Sequence, residues 1–479
     1  MCGLSRIVFN GIDAASGAYL YPSTTVEELG HRVLESQFDP DPHLDELAQR
    51  TARDARSFGV AYPSSADDLA EAGWAIVTAA EAAADAVAAL EPLTSLRHDQ
   101  TGRLFKVFTG GAGLRPGESK DAWLGRHGMG PGDAEPDKVP YYVLLVGGPE
   151  EIPFRFQYEL DVHYAVGRLA FGSLDDYARY AHAVVTAEAT TRQASSSLAL
   201  FAPEHPDDPA THLSATALAG PLGDQVRTAA KRGCSLKRAL ADAATKQQLC
   251  EFVSGAQAPD LLFTATHGIG FPAGHDQQRE QQGALLCQDW PGPRAWGHRP
   301  LEDRFYFTAA DVPDHAESLP TIMFAFACFG AGTPVDNDFR QLRPARSRKL
   351  APRPFVARLP QRLLAHPAGQ TLAFIGHVDR AWECSFSAPE AGPQRGVFVS
   401  TIASILDGRR VGHALEFFNS RYAGIGSSLA NLLETYARQR KKPPRDELAE
   451  KLIATNDARN YMLLGDPAVR LSTSITPRD

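Results

Sequence analysis

Cysteine is scarce in this chain. Its 479 residues hold six, at Cys2, Cys234, Cys250, Cys287, Cys328 and Cys384, with no CxxC pair among them. That spacing excludes a disulfide framework and a zinc ribbon, and it fits a reduced, cytoplasmic setting. Long apolar runs are also missing. Even "WAIVTAAEAAADAVAAL" is broken by Glu81 and Asp85, well short of the about 20 apolar residues a membrane helix needs. The opening "MCGLSRIVFNGIDAASG" lacks the apolar core of a signal peptide, so the expectation is a soluble protein that works where it is made. Nor is there an excess of positive charge. A net charge of -9 argues against direct nucleic-acid binding, which draws on a basic surface.

Several motifs are absent too. Without GxxxxGK[ST] or GxSxG, P-loop nucleotide hydrolysis and serine hydrolysis of the α/β type are disfavoured. In "TGGAGLRPG" (109–117), Pro116 stands where GxGxxG has its last glycine. His267, His275 and Asp276, taken with Cys287 or His298, match no standard ligand spacing. No metal and no cofactor is expected.

What is present is a large supply of apolar residues, 43% of the chain, enough for two to four structural units. Residues 1–70 are polar, with acidic clusters such as "DPDPHLDELAQ", and read as an irregular extension. Residues 71–195 hold the strands "GWAIVTAA" and "YYVLLVGGPEEIPF", an edge strand "DVHYAVGRLAF", and an amphipathic helix with Ser173 as its N-cap. From 196 to 479 the strands "SLALFAP", "DLLFTATHG", "TIMFAFACFG" and "TLAFIGHV" alternate with helical segments, and helices and a final strand "NYMLLGDPAVRL" follow. Alternating buried strands and helices predict an α/β fold with a mostly parallel sheet flanked by helices, divided into two α/β subdomains.

Charge singles out one segment. Between Asp338 and Asp379 no acidic residue occurs, while Arg340, Arg343, Arg346, Arg348, Lys349, Arg353, Arg358 and Arg362 do. It reads either as a solvated loop running into a helix or as a loop beside the active site.

Two strands end in reactive side chains, "LLFTATHG" in His267 and "FAFACFG" in Cys328. In a parallel sheet both lie at the carboxyl edge, where functional groups collect. A thiol is a weak nucleophile at its ordinary pKa of about 8.5, and a neighbouring imidazole can take its proton. Gly268 leaves a backbone N–H free to face a developing oxyanion, with the N–H of Cys328 as a second donor. Taken singly, each residue has a structural reading, the cysteine as core and the histidine as a hydrogen-bonded strand end. Together they predict a catalytic dyad. Gly330, two residues past the cysteine, reads as the loosening point of the strand exit.

"LLFTATHG" and "TIMFAFACFGAG" resemble the His-Gly and Ala-Cys motifs of the caspase-like (clan CD) cysteine peptidases, and "FYFTAADVPDHAESLP" between them resembles the element preceding the cysteine strand in CHAT-type members. "YYVLLVGGPEEIPF", "DVHYAVGRLAF" and "YMLLGDPAVRL" are gingipain-like, so the resemblance spans roughly residues 70–472. It implies a caspase/gingipain-like fold and a thiol endopeptidase acting on protein substrates, with Cys328 as nucleophile, His267 as its partner and no obligatory third member. It also implies a pocket for the side chain before the scissile bond, lined by Phe326 and by the exit loop "GHVDRAWECSF" with Asp379, Trp382 and Glu383. Asp161 is a further acidic group that would suit a basic substrate side chain. The long insertion 269–300 departs from the family pattern and reads as a lid, a hairpin or a partner site. No removable prosegment is evident, which suggests activation by a protein partner. The alternative function is an idle caspase-like scaffold that serves as a signalling or binding module.

Overall fold

The computed structural model describes residues 6–471 apart from 9, 22–23, 36–40, 42, 53–58, 62–63, 131, 191–195, 339–348 and 389–391. Arg340, Arg343, Arg346 and Arg348 therefore lie outside the described residues. No helix among the described residues is long and apolar enough to cross a membrane.

Ten strands form one sheet: β1 (Trp74–Thr78), β2 (Phe105–Phe108), β3 (Tyr142–Val146), β4 (Ala165–Leu169), β5 (Ser196–Ala202), β6 (Cys234–Leu240), β7 (Leu261–Ala265), β8 (Ile322–Phe326), β9 (Ala373–His377) and β10 (Tyr461–Gly465). Their spatial order is β2-β1-β3-β4-β10-β9-β8-β7-β5-β6. β1, β3, β4, β7, β8, β9 and β10 are buried at every position. Such continuous apolar runs are what a sheet covered on both faces requires.

Every pairing in this sheet is parallel except β9 with β10, where Ala373 meets Gly465 and His377 meets Tyr461. Because β10 then runs parallel to β4, the sheet is two parallel blocks of opposite direction joined at that seam. The carboxyl ends of β7, β8 and β9 thus share an edge with the amino ends of β10 and β4. The mostly parallel α/β sheet flanked by helices is the fold expected from the sequence.

One expectation changes in detail. The segment 161–171 forms an interior strand, since β4 pairs with both β3 and β10. Its polar look comes from Arg168, which is fully buried. Arg168 donates to Gln157 Oε1 (2.8 Å) and to the Gly147 carbonyl (3.0 Å), and burial lowers its pKa to about 9. The true edges are β2 and β6, whose half-exposed sequences carry little strand signal. The described residues of the N-terminal region include helices at Val26–Glu35 and His43–Ala52. Ser173 does cap its helix, accepting the Asp176 amide.

The seam strand is anchored from beyond its end. Asp466 accepts Trp74 Nε1 (2.9 Å), Arg97 Nε (2.8 Å) and the Ala468 amide (3.0 Å), and both Asp466 and Arg97 are fully buried. Removing one member of a buried charge pair leaves the other in a medium that solvates it poorly. Asp466→Ala is expected to cost about 3–5 kcal/mol in urea unfolding at pH 7, and a loss under about 1 kcal/mol would show that the pair does not anchor the seam.

Candidate functional site

The register of β7 against β8 sets the site. Ala265 pairs with Phe326, and the Thr266 amide donates to the Phe326 carbonyl (3.1 Å). Two residues beyond that last pair, His267 stands opposite Cys328, on strands about 4.8 Å apart. Gly268 then runs against the cysteine's backbone, where a Cβ would lie 1.8 Å from the Cys328 carbonyl oxygen. Only glycine permits that approach. The chain leaves β8 through Phe329, which takes a left-handed φ of 58°, and Gly330 does not. The Phe329 amide donates to the Asp379 carbonyl (2.6 Å), and Asp379 is itself left-handed at φ 65°. Left-handed non-glycine residues facing each other are strained backbone, which is concentrated at functional sites.

His267 is fully buried and uses both ring nitrogens. Nδ1 lies 2.7 Å from the Gly11 amide. An amide N–H only donates, so Nδ1 accepts and the ring proton sits on Nε2. Nε2 donates to Asp208 Oδ2 (2.7 Å). Asp208 also accepts Tyr19 Oη (2.9 Å), Thr211 Oγ1 (2.8 Å) and the Ala210 amide (3.1 Å). Despite burial, the imidazole and these donors hold its carboxyl well below the usual range. Tyr19 is pushed upward by burial and by Asp208.

Asp208 is the residue that sequence reasoning missed. It lies past the carboxyl end of β5, the strand beside β7, in "HPDDPATHL". An aspartate before a proline at a helix start was the available signal, but it reads equally well as an ordinary N-cap.

Cys328 is fully buried, and burial pushes its thiol up to about 12, so at neutral pH it is protonated. It donates to the Asn10 carbonyl (2.9 Å) and accepts the Ala381 amide (3.4 Å). The N-terminal region therefore reaches the centre of the site. Residues 11–20 form a hairpin, with Leu20 N donating to Gly11 O (3.0 Å) and Asp13 N to Ala18 O (2.8 Å). Its outgoing arm pairs in parallel with Ile269–Gly270, immediately after the His-Gly turn. Ile12 and Ala14 are buried with Ile269, Leu286, Trp290 and Trp296 in a second hydrophobic cluster. The insertion 269–300 thus forms the seat of this hairpin, aided by the antiparallel pairing of Leu285–Leu286 with Tyr306–Phe307.

The expected pocket residues part company. Trp382 and Glu383 border a cleft of about 880 Å³ together with Ile7, Val26 and Arg421. Glu383 accepts the Val8 amide (3.1 Å), and burial raises its carboxyl to about 7. Phe326 packs edge-on against Phe386 and Phe398 in the core. Asp379 faces Arg380 Nη1 at 3.0 Å and accepts the Asp338 amide (3.3 Å). Asp161 sits on the same sheet edge but three strands from β8, where its carboxylate accepts the Val166 amide (3.0 Å).

No family model and no curated protein matches this chain. Solved structures do match. One described only as a protease is 12% identical with TM-score 0.45, over 83% of this chain and 78% of that one. The Arg-specific cysteine proteinase gingipain R is 12% identical with TM-score 0.42, over 84% and 78%. The separase–securin complex of Saccharomyces cerevisiae is 10% identical with TM-score 0.32, over 68% of this chain and 15% of that one. Gingipain and separase are clan CD cysteine peptidases; likenesses this remote assign no activity to this chain.

Proposed function

We propose that the chain is a cysteine endopeptidase whose nucleophile is Cys328. One observation carries the reading: a single peptide bond, Asn10–Gly11, is touched by Cys328 Sγ at its carbonyl oxygen (2.9 Å) and by His267 Nδ1 at its N–H (2.7 Å). A nucleophile on one side of an amide and an imidazole on the leaving nitrogen are the two contacts that acyl transfer needs.

In this reading the Cys328 thiol gives its proton to His267 Nδ1 and the sulfur attacks the carbonyl carbon. Asp208 keeps the other ring proton on Nε2 and stabilises the imidazolium, a positioning role. The amides of Gly268 and Cys328 serve as donors to the oxyanion. The Nδ1 proton passes to the departing amine, and water then hydrolyses the thioester. The burial of Cys328 suits a resting enzyme whose thiol ionises only as the proton transfers.

The side chain before the scissile bond is better matched by an uncharged residue than by a basic one. A basic group would need Asp379 to exchange its contact with Arg380, or Glu383 to ionise in a buried position. The cleft beside Trp382 and Glu383 lies where that part of a substrate passes, since Val8 already reaches Glu383.

A positional peptide library tests the reading. Wild type should hydrolyse peptides, and Cys328→Ala and His267→Ala should each lose roughly 10³-fold or more. Hydrolysis that survives Cys328→Ala would remove the nucleophile, and no turnover by wild type would favour the idle scaffold. For Asp208→Asn, kcat should fall about 10- to 10⁴-fold with little change in KM, because the wrong tautomer is then stabilised.

The same substitution has a stability signature. The Asp208 carboxyl is held below its unfolded value, so its contribution is present above about pH 4 and is lost as pH falls through the lower, folded value. Asp208→Asn should therefore be less stable than wild type at pH 7 by about 1–3 kcal/mol, with the gap narrowing in denaturant titrations below pH 4.

A further inference from the structure

The contacts around Asn10–Gly11 go beyond occupancy of a cleft. A segment that merely blocked the site could present any side chain to the thiol. Here the group at Sγ is a peptide carbonyl, and the N–H on His267 belongs to the same peptide bond. Gly11 is needed for that placement. It has φ 110°, and a Cβ would lie 2.5 Å from Leu20 Cδ1 and 3.1 Å from Cys328 Sγ. On one side of the bond, Val8 donates to Glu383 in the exit loop of β9. On the other, Ile12 donates to the Gly268 carbonyl (3.4 Å) and Ala14 to the Gly270 carbonyl (2.8 Å). The chain thus crosses the nucleophile with backbone contacts both before and after the bond, as an extended substrate does. The hairpin also reaches the third side chain of the site, through Tyr19 Oη on Asp208. Asn10 itself is buried.

We propose that the Asn10–Gly11 bond is a self-cleavage site, cut by Cys328 of the same molecule; the proposal rests on the endopeptidase reading above. The thiol proton moves to His267 Nδ1 while the Asn10 carbonyl turns from the sulfur towards the amides of Gly268 and Cys328. A bond forms from Sγ to the Asn10 carbonyl carbon, the C–N bond to Gly11 breaks, and the Nδ1 proton leaves on the new Gly11 amine. Water then hydrolyses the Asn10 thioester, giving a carboxylate and restoring the thiol. The new terminus at Gly11 stays docked through Ile12 and Ala14, and Val8 is then held only by its bond to Glu383 in the exit loop. The substrate class this assigns is a peptide with a small amide side chain before the cut and glycine after it.

Intact-mass analysis of the purified full chain over time tests this. Wild type should convert to a species beginning at Gly11, with a first-order rate unchanged on 100-fold dilution. Cys328→Ala and Cys328→Ser, each checked for wild-type-like circular dichroism, should convert at least 100-fold more slowly. These variants also measure any spontaneous Asn-Gly chemistry, so equal conversion in them would overturn the proposal. A wild type that stays full length yet hydrolyses library peptides would overturn self-cleavage and leave the endopeptidase reading standing. A wild type that does neither would overturn both, and cutting at another bond would overturn the assignment to Asn10–Gly11.

Discussion

Everything at this site depends on how closely two neighbouring strand ends approach. β7 and β8 are paired in register to their last residues, so His267 and Cys328 leave the sheet side by side. The turn after His267 then presses its backbone onto that of Cys328, which is feasible only because Gly268 has no side chain. The imidazole is fixed from the far side by Asp208, which lies beyond the carboxyl end of β5, the strand beside β7. Two adjacent strand ends and the N-cap of the helix that follows β5 thus bring three side chains together.

Much of the frame was legible because it is written in local pattern. The fully buried strands β1, β3, β7, β8, β9 and β10 are short continuous apolar runs, and that pattern needs no knowledge of partners. His267 and Cys328 were singled out for the same reason, as each is the first reactive residue after such a run, and the structure places them at neighbouring strand ends. What escaped the sequence was set by contacts between distant residues. Asp208 lies 59 positions from His267 and Asn10 lies 318 from Cys328; the local pattern marks Asp208 only as an N-cap and does not mark Asn10 at all. The reversal of direction at β9–β10 is likewise invisible in a strand's own composition. The segment 161–171 misleads in the opposite sense: expected at an edge, it lies inside the sheet, with Arg168 buried against Gln157 and the Gly147 carbonyl.

The burial of the site gives the resting molecule its character. The N-terminal hairpin covers Cys328, and the thiol is held in its protonated form. Around it the charged groups are already committed: Asp379 faces Arg380, whose guanidinium lies over the Tyr21 ring (4.3 Å) and donates to Asn337 (2.8 Å). Burial raises the Glu383 carboxyl to about 7. The insertion 269–300 acquires a purpose in this arrangement, because its apolar cluster is what seats Ile12 and Ala14. Cys328, the segment that covers it and the seat of that segment form one structural unit.

The central claim is that Cys328, activated by His267, attacks a carbonyl carbon held against these strand ends. Covalent labelling with a peptidyl electrophile carrying asparagine at its reactive end tests it most directly. Intact mass and peptide mapping should find a single adduct on Cys328, formed at least 10-fold more slowly in His267→Ala. An adduct on Cys287 or Cys384 instead, or labelling of Cys328 at the same rate without the imidazole, would contradict the account.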